Sequence, residues 1–218
     1  MTTDSEKLLL IVAGPNGSGK SSLVYMTELS VELDKIINPD NFARALSNEI
    51  KDPAERYRIA MDSCEALRNA LLEQGKSFGF ETVASREDKL EFVKKAKSKG
   101  YYIDFIFVTA GTPEKCYERI QTRVKMGGHD VPKEKVFTRF ERTMNFLPRY
   151  LELADHADVW DNSGDHLELI CTKSDGIIEL TPAGVSSEWV RKYLPNLIRG
   201  ESPDCIGYTT RFDNDNCL

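Results

Sequence analysis

No stretch of this sequence approaches the roughly 20 apolar residues that a membrane-spanning helix needs. The longest, Leu8 to Ala13, has the length of a strand. Residues 1 to 7 are polar and lead straight into that stretch, so no secretory signal is expected. Paired cysteines are lacking too. Cys64, Cys116, Cys171, Cys205 and Cys217 are odd in number, scattered, and form no C-x-x-C pair. That argues against a disulfide framework or a structural zinc site and points to a reducing cytoplasm. The histidines, His129, His156 and His166, have no metal-ligand spacing. There is no repeat, low-complexity tract or domain linker. Positive charge is short overall: the net charge of −6 disfavours a nucleic-acid platform. The deficit is uneven, however. Arg119 to Arg149 holds eight bases against three acids, a net of +5 that leaves −11 for the remainder. A basic segment in an acidic protein suits a bound anion, and also a plain solvated helix.

What is present is an alternation of apolar runs with helical periodicities, the pattern of a parallel α/β sheet flanked by helices. Strands are expected at Leu8–Ala13, Lys35–Asn38, Ser77–Thr82, Tyr101–Val108 and Ala157–Trp160. Asp52-Pro53-Ala54-Glu55 reads as a helix start with proline in the first turn. Ala60, Cys64, Leu67 and Leu71 then share a face, and Gly75 ends the helix. Ser85 is read as the cap of the next helix, which runs to Gly100. Thr112-Pro113 opens another that reaches about Lys125, and Pro132 to about Ala154 carries Val136, Phe140, Leu147 and Leu151 inward. Leu167–Thr172 and Ile177–Leu180 flank Ser174-Asp175-Gly176, a hairpin signature. A helix over Ser187–Ile198 follows. One domain is expected over residues 1–200, with the hairpin and helix at about 166–200 and a polar tail over 201–218.

Between the first strand and the first helix stands Gly14-Pro15-Asn16-Gly17-Ser18-Gly19-Lys20-Ser21, which matches G-x-x-x-x-G-K-[ST]. Glycines let the backbone curl so that successive N–H groups point at phosphates. The helix N-terminus that follows, with Ser22 in its first turn, favours a negative ligand. Lys20 suits the β- and γ-phosphates, and the Ser21 hydroxyl suits Mg²⁺. The motif specifies a P-loop nucleotide site, for ATP or GTP, without specifying the reaction.

Other residues narrow that reaction. Asn38-Pro39-Asp40 follows the second strand, at the sheet edge where open α/β sheets place ligands. A carboxylate at Asp40 can take the proton of an attacking hydroxyl, although N-P-D is also good turn chemistry. Phe80-Glu81-Thr82 ends the third strand. Glu81 can hold Mg²⁺ through water, bind a substrate hydroxyl, or sit solvated on the rim. Thr82, Ser85 and Arg86 lie at the same edge and are candidate substrate contacts. Arg123, Arg139 and Arg142 flank Gly127-Gly128-His129-Asp130-Val131-Pro132. Arg139 and Arg142, three apart, are neighbours on one helix face. The group reads as an arginine-bearing lid over about residues 123–142, with a Gly-Gly hinge and guanidiniums to neutralise a transferring phosphoryl. His129 is a candidate substrate contact or loop hydrogen-bonding group. Asp161-Asn162-Ser163 is either a contact to the base or P-loop, or a turn.

Together these pieces resemble the zeta toxin family of P-loop kinases, in its shorter branch of predicted ATPases, over about residues 7–163. The resemblance implies a kinase-like fold and transfer of a γ-phosphoryl from ATP or GTP, with Mg²⁺, to a small-molecule hydroxyl. It makes Lys20 and Ser21 the phosphate and Mg²⁺ residues, Asp40 the base, Glu81 a substrate contact, and the lid arginines the phosphate clamp. Family toxins phosphorylate UDP-N-acetylglucosamine, which makes a UDP-activated amino sugar one candidate acceptor and an antitoxin protein a candidate partner. Here Glu81 is followed by Thr82-Val83 where those toxins usually continue with Gly-Thr. A nucleoside- or cofactor-directed kinase and a nucleotide-dependent ATPase switch are the alternatives. No membrane or nucleic-acid partner is expected.

Overall fold

The computed structural model describes residues 7–26, 36–128 and 130–199. The chain runs β1 (Lys7–Ala13), α1 (Lys20–Met26), β2 (Ile36–Ile37), α2 (Pro39–Ala45), α3 (Pro53–Glu73), β3 (Phe78–Thr82), α4 (Glu87–Ser98), β4 (Tyr101–Thr109), α5 (Pro113–Lys125), α6 (Lys133–Leu153) and β5 (His156–Asp161). Then come β6 (Glu168–Ser174), β7 (Ile177–Leu180), α7 (Pro182–Ser186), α8 (Glu188–Tyr193) and α9 (Pro195–Arg199).

The strands form one seven-stranded sheet in the order β2-β3-β1-β4-β5-β6-β7. β2 to β5 are mutually parallel. β1 lies between β3 and β4, and its continuous apolar run reflects cover on both faces. Leu9, Ile11 and Ala13 enter a large core with α3, α4, α5 and α6. Leu10 and Val12 enter a smaller one with Leu23, Ile106 and Val108.

The five expected parallel strands are present, β2-β3-β1-β4-β5, and the expected hairpin β6–β7 extends the same sheet, antiparallel to β5. Its Asp175-Gly176 turn places both residues at positive φ (52° and 78°), the backbone of a tight two-residue hairpin. The single helix expected over Ser187–Ile198 is instead a string of short ones, broken at Ser187 and again before Pro195, whose preceding residue is disfavoured in α geometry. Helix α4 starts one residue later than expected, with Arg86 at the cap position and no side-chain cap bond. A helix not foreseen, α2, follows Asn38, whose side chain accepts from the Asp40 amide at 2.8 Å. Lys35 and the tail from 201 lie outside the described residues.

Candidate active site

β1 ends at Ala13, level with Thr82 of β3 and Phe107 of β4. The chain then turns through the P-loop into α1. The turn is closed by steric fit: Gly14 (φ 143°) presses against the Val108 carbonyl, and Gly17 (φ 80°) against that of Cys116. A side chain at either would meet main chain.

Lys20 is buried, at 7% exposure. Its Nζ donates to the carbonyls of Gly14 and Pro15, both at 2.8 Å. Burial lowers its pKa, and the Glu81 carboxylate opposes that shift. Ser21 Oγ donates to Glu81 Oε1 at 3.0 Å, and Asn38 Nδ2 donates to Glu81 Oε2 at 2.6 Å. Glu81 is therefore not a solvated rim residue; it is half-buried and joins α1 to the cap of α2. A hydroxyl and a carboxylate side by side beside a phosphate cradle fit Mg²⁺, a hard cation that takes few protein oxygens and completes its shell with phosphates and water. No larger cluster of metal-ligating side chains occurs among the described residues.

Beneath the loop, Asn162 Nδ2 donates to the Ser18 carbonyl at 2.9 Å. Arg119 donates to the same carbonyl at 3.4 Å and also to the Asn162 carbonyl. Both readings of Asp161-Asn162-Ser163 are observed: Asn162 supports the P-loop, and Asp161 and Ser163 close a turn. Asp161 accepts from the Ser163 amide at 2.7 Å and from Trp189 Nε1 at 2.8 Å.

A cavity of about 590 Å³ opens over this floor. Its walls include Asn16, Gly17, Gly19, Lys20, Ser21, Ser22, Asp40, Glu81, Thr82, Ser85, Arg86, Arg123 and Arg139, so it gathers most residues expected from sequence. Asp40 is exposed in the first turn of α2, on the cavity wall. Arg139 Nη1 donates to Asn16 Oδ1 at 3.4 Å. Arg142 does not line the cavity; it is exposed on α6. His129 lies outside the described residues. The expected lid is also more firmly seated than a flap: Val131, Val136 and Phe140 within it are core residues, so Arg139 projects from a packed helix.

Several cavity residues carry no sequence-based assignment, among them Asn38, Tyr57, Met61, Arg68, Lys89 and Arg119. Asn38 carries a legible signal, a capping side chain before a proline. Arg119 stood in the basic segment without a role. Tyr57 and Arg68 sit among helical positions with nothing local to mark them.

The fold and the site define a P-loop nucleotide-binding protein of the kinase type. The Zeta toxin family model matches residues 1–167, and the chain belongs to that family. An uncharacterized protein of Haemophilus influenzae (strain ATCC 51907 / DSM 11121 / KW20 / Rd) is 27% identical over 131 residues, 60% of this chain and 91% of that relative. Among solved structures, a chain of the AvrRxo1-ORF1:AvrRxo1-ORF2 complex with sulphate ions superposes with TM-score 0.68 at 18% identity. It covers 84% of this chain, which spans only 63% of that one. The same complex with ATP gives TM-score 0.68 at 17% identity. A chain from the PezAT toxin-antitoxin system of Streptococcus pneumoniae gives 0.59 at 16%, covering 93% of this chain and 82% of that one. At these identities the structural likeness is one of fold.

Proposed function

We propose that this protein transfers the γ-phosphoryl of ATP or GTP to a hydroxyl of a small molecule. The observation that carries this reading is the meeting, around one cavity, of a P-loop lysine, a hydroxyl–carboxylate pair and a separate carboxylate, Asp40. Lys20 exchanges its two carbonyl partners for β- and γ-phosphate oxygens. Ser21 and Glu81, directly or through water, would hold Mg²⁺, which would neutralise charge on the phosphates. Asp40 orients the acceptor hydroxyl and takes its proton. Arg139, which reaches Asn16 of the P-loop, and Arg123 line the same cavity and stabilise charge on the transferring group, a role suited to guanidiniums because they stay protonated. Thr82, Ser85 and Arg86 extend the wall on the acceptor side.

A UDP-activated amino sugar is the acceptor to test first, on family grounds. An antitoxin partner is a second element of the proposal; the PezAT structure is of a toxin-antitoxin system. No helix among the described residues is long and apolar enough to cross a membrane. Cys64, Cys116 and Cys171 are buried free thiols, compatible with the reducing cytoplasm we assign.

The test is a metabolite-extract screen with γ-labelled ATP, comparing wild type with Lys20→Ala. A labelled acceptor is expected with wild type. The variant should lose on the order of 10²-fold or more in rate, as when a charge-stabilising group is removed. Near-normal turnover by Lys20→Ala overturns the proposal, as does hydrolysis of ATP with no labelled acceptor in any extract.

A further inference from the structure

The cavity has a second positive wall, built from elements other than the P-loop. Helix α3 presents Tyr57, Met61 and Arg68 to it, residues spaced four and seven apart and so aligned along one helix face. Arg68 is only 4% exposed. Its guanidinium carbon lies 5.3 Å from the centroid of the Phe80 ring. No carboxylate lies within ion-pair distance of it among the described residues.

The nearby acids are engaged elsewhere. Asp88 pairs with Arg86 at 3.0 Å and with Lys89 at 3.1 Å, while Glu65 pairs with Lys89 at 3.6 Å. This wall therefore carries three cations against two anions, and the surplus charge is the buried one. Burial of an unpaired cation is costly. Arginine nonetheless keeps its proton under such conditions. A helix bundle needing only packing at this position gains nothing from a guanidinium. A cavity that must attract an anion does.

We propose that Arg68 anchors an anionic group of the acceptor, a phosphate ester or a carboxylate, while the acceptor hydroxyl lies at Asp40. The inference rests on the phosphotransfer reading and specifies its substrate class. From Tyr57 to Arg68 the helix rises ~16 Å, at about 1.5 Å per residue. Tyr57 and Asp40 line the same cavity and α2 packs against α3, which sets that end of α3 beside Asp40. The acceptor is then an extended molecule. One end offers a hydroxyl, its middle lies against Tyr57 and Met61, and its far end carries the charge. The flat guanidinium, backed by Phe80, presents its fork of donors to two oxygens of that group.

The test is calorimetric titration of the protein saturated with Mg²⁺ and a non-hydrolysable ATP analogue, which fills the P-loop. The probes are phenyl phosphate, benzoate and neutral phenol, applied to wild type, Arg68→Met and Arg68→Lys. Wild type is expected to bind at least one of the two anions. Arg68→Met should weaken that binding at least tenfold, Arg68→Lys should fall between, and phenol should bind poorly throughout. The stronger of the two anions identifies phosphate or carboxylate as the group. The affinity for the ATP analogue should not change. Equal anion affinity in wild type and Arg68→Met overturns the proposal, as does phenol binding as well as the anions, or no anion binding at all. Failure of wild type to bind the ATP analogue overturns the phosphotransfer reading instead, and the same titrations on the bare protein still report on Arg68. Should Arg68→Met not fold, the labelled-ATP screen decides. Every labelled product must derive from a metabolite that already carries a phosphate or carboxylate, and one neutral acceptor overturns the assignment.

Discussion

At the scale of single residues, the group to test is Asp40, the proposed base. A hydroxyl acceptor must lose its proton as the new O–P bond forms. In a largely dissociative transition state that loss is late, so the base acts mainly by orienting the acceptor and receiving the proton at the end. Asn at this position keeps the size and one acceptor oxygen but removes the basicity. Asp40 is not the residue that caps α2; Asn38 does that through its own side chain. Asp40→Asn should therefore leave folding and nucleotide Kd near wild type, while acceptor phosphorylation falls by roughly 10²- to 10⁴-fold. Unchanged phosphorylation would remove Asp40 from the mechanism.

Elements decide which of the basic residues matter. Arg139 and Arg142 are three apart on α6, yet only Arg139 faces the cavity and reaches Asn16. Next to Arg142, Thr143 is buried and its hydroxyl donates to the Val83 carbonyl at 2.8 Å, which fixes the rotation of the helix. Arg139→Ala should lower kcat by on the order of 10²-fold, in the range for one lost electrostatic donor. Arg142→Ala should stay within about twofold of wild type, as for an exposed side chain away from special features. Equal losses in both variants would mean that α6 rotates on nucleotide binding.

A second element-level prediction concerns pH. Glu73, at the end of α3, pairs with Lys95 at 2.9 Å and Lys99 at 2.8 Å, tying α3 to α4. Hydrogen bonds from these lysines hold its carboxyl down to about 2, below the ordinary glutamate value of 4.5. The folded-state value is the lower one, so the stabilisation is fully present above about 4.5 and is lost as pH falls toward about 2. Glu73→Gln should flatten the acid limb of the stability profile in that window. The effect should shrink in high salt because the carboxylate is exposed. An acid limb identical to wild type would show that the pair contributes nothing.

The elements also show what was legible in sequence. Strand positions came through because β1, β3 and β4 are apolar runs bounded by glycine or by caps. Helix starts were legible where a capping side chain precedes proline. Asp52-Pro53 and Thr112-Pro113 were taken that way, and both side chains do cap. Asn38-Pro39 and Thr181-Pro182 carry the same signature and cap α2 and α7. Sequence pattern alone does not reveal them, because the helices behind these caps are short and weakly periodic. Of the face expected on α3, Ala60 and Cys64 are fully buried and Leu67 and Leu71 pack against the core at partial burial; Arg68 and Leu72 complete the buried stripe. An arginine in a core stripe cannot be found from periodicity, since only the tertiary cavity gives its charge a use. Of the site, the P-loop, Asp40 and Glu81 were legible because their chemistry is tied to strand ends. The support from Asn38 and Arg119 depends on contacts between distant segments.

At the scale of the whole molecule, the open question is what the chain beyond the family match does for the site. The match ends at residue 167, just before β6. Yet Trp189, Val190, Tyr193, Leu194 and Leu197 belong to the same core cluster as β1 and α6. Trp189 Nε1 also bonds Asp161, next to the asparagine that holds the P-loop from below. Glu141 of α6 accepts from Tyr193 at 2.9 Å, adding a polar tie. The hairpin and short helices are thus built into the catalytic fold rather than appended to it. Trp189→Phe keeps an aromatic ring in the core but leaves part of the indole volume unfilled and loses one hydrogen bond to a charged group, so it should cost at least roughly 1.5–3 kcal/mol. Trp189→Ala opens a larger cavity and should cost about 3–5 kcal/mol. Urea unfolding would read both as shifts in midpoint at unchanged slope. If the segment also positions the P-loop through Asp161, Trp189→Phe should raise the nucleotide Kd even under conditions where the variant is fully folded. Two variants within about 0.5 kcal/mol of wild type, the range for inert surface changes, would show the segment to be a separate appendage.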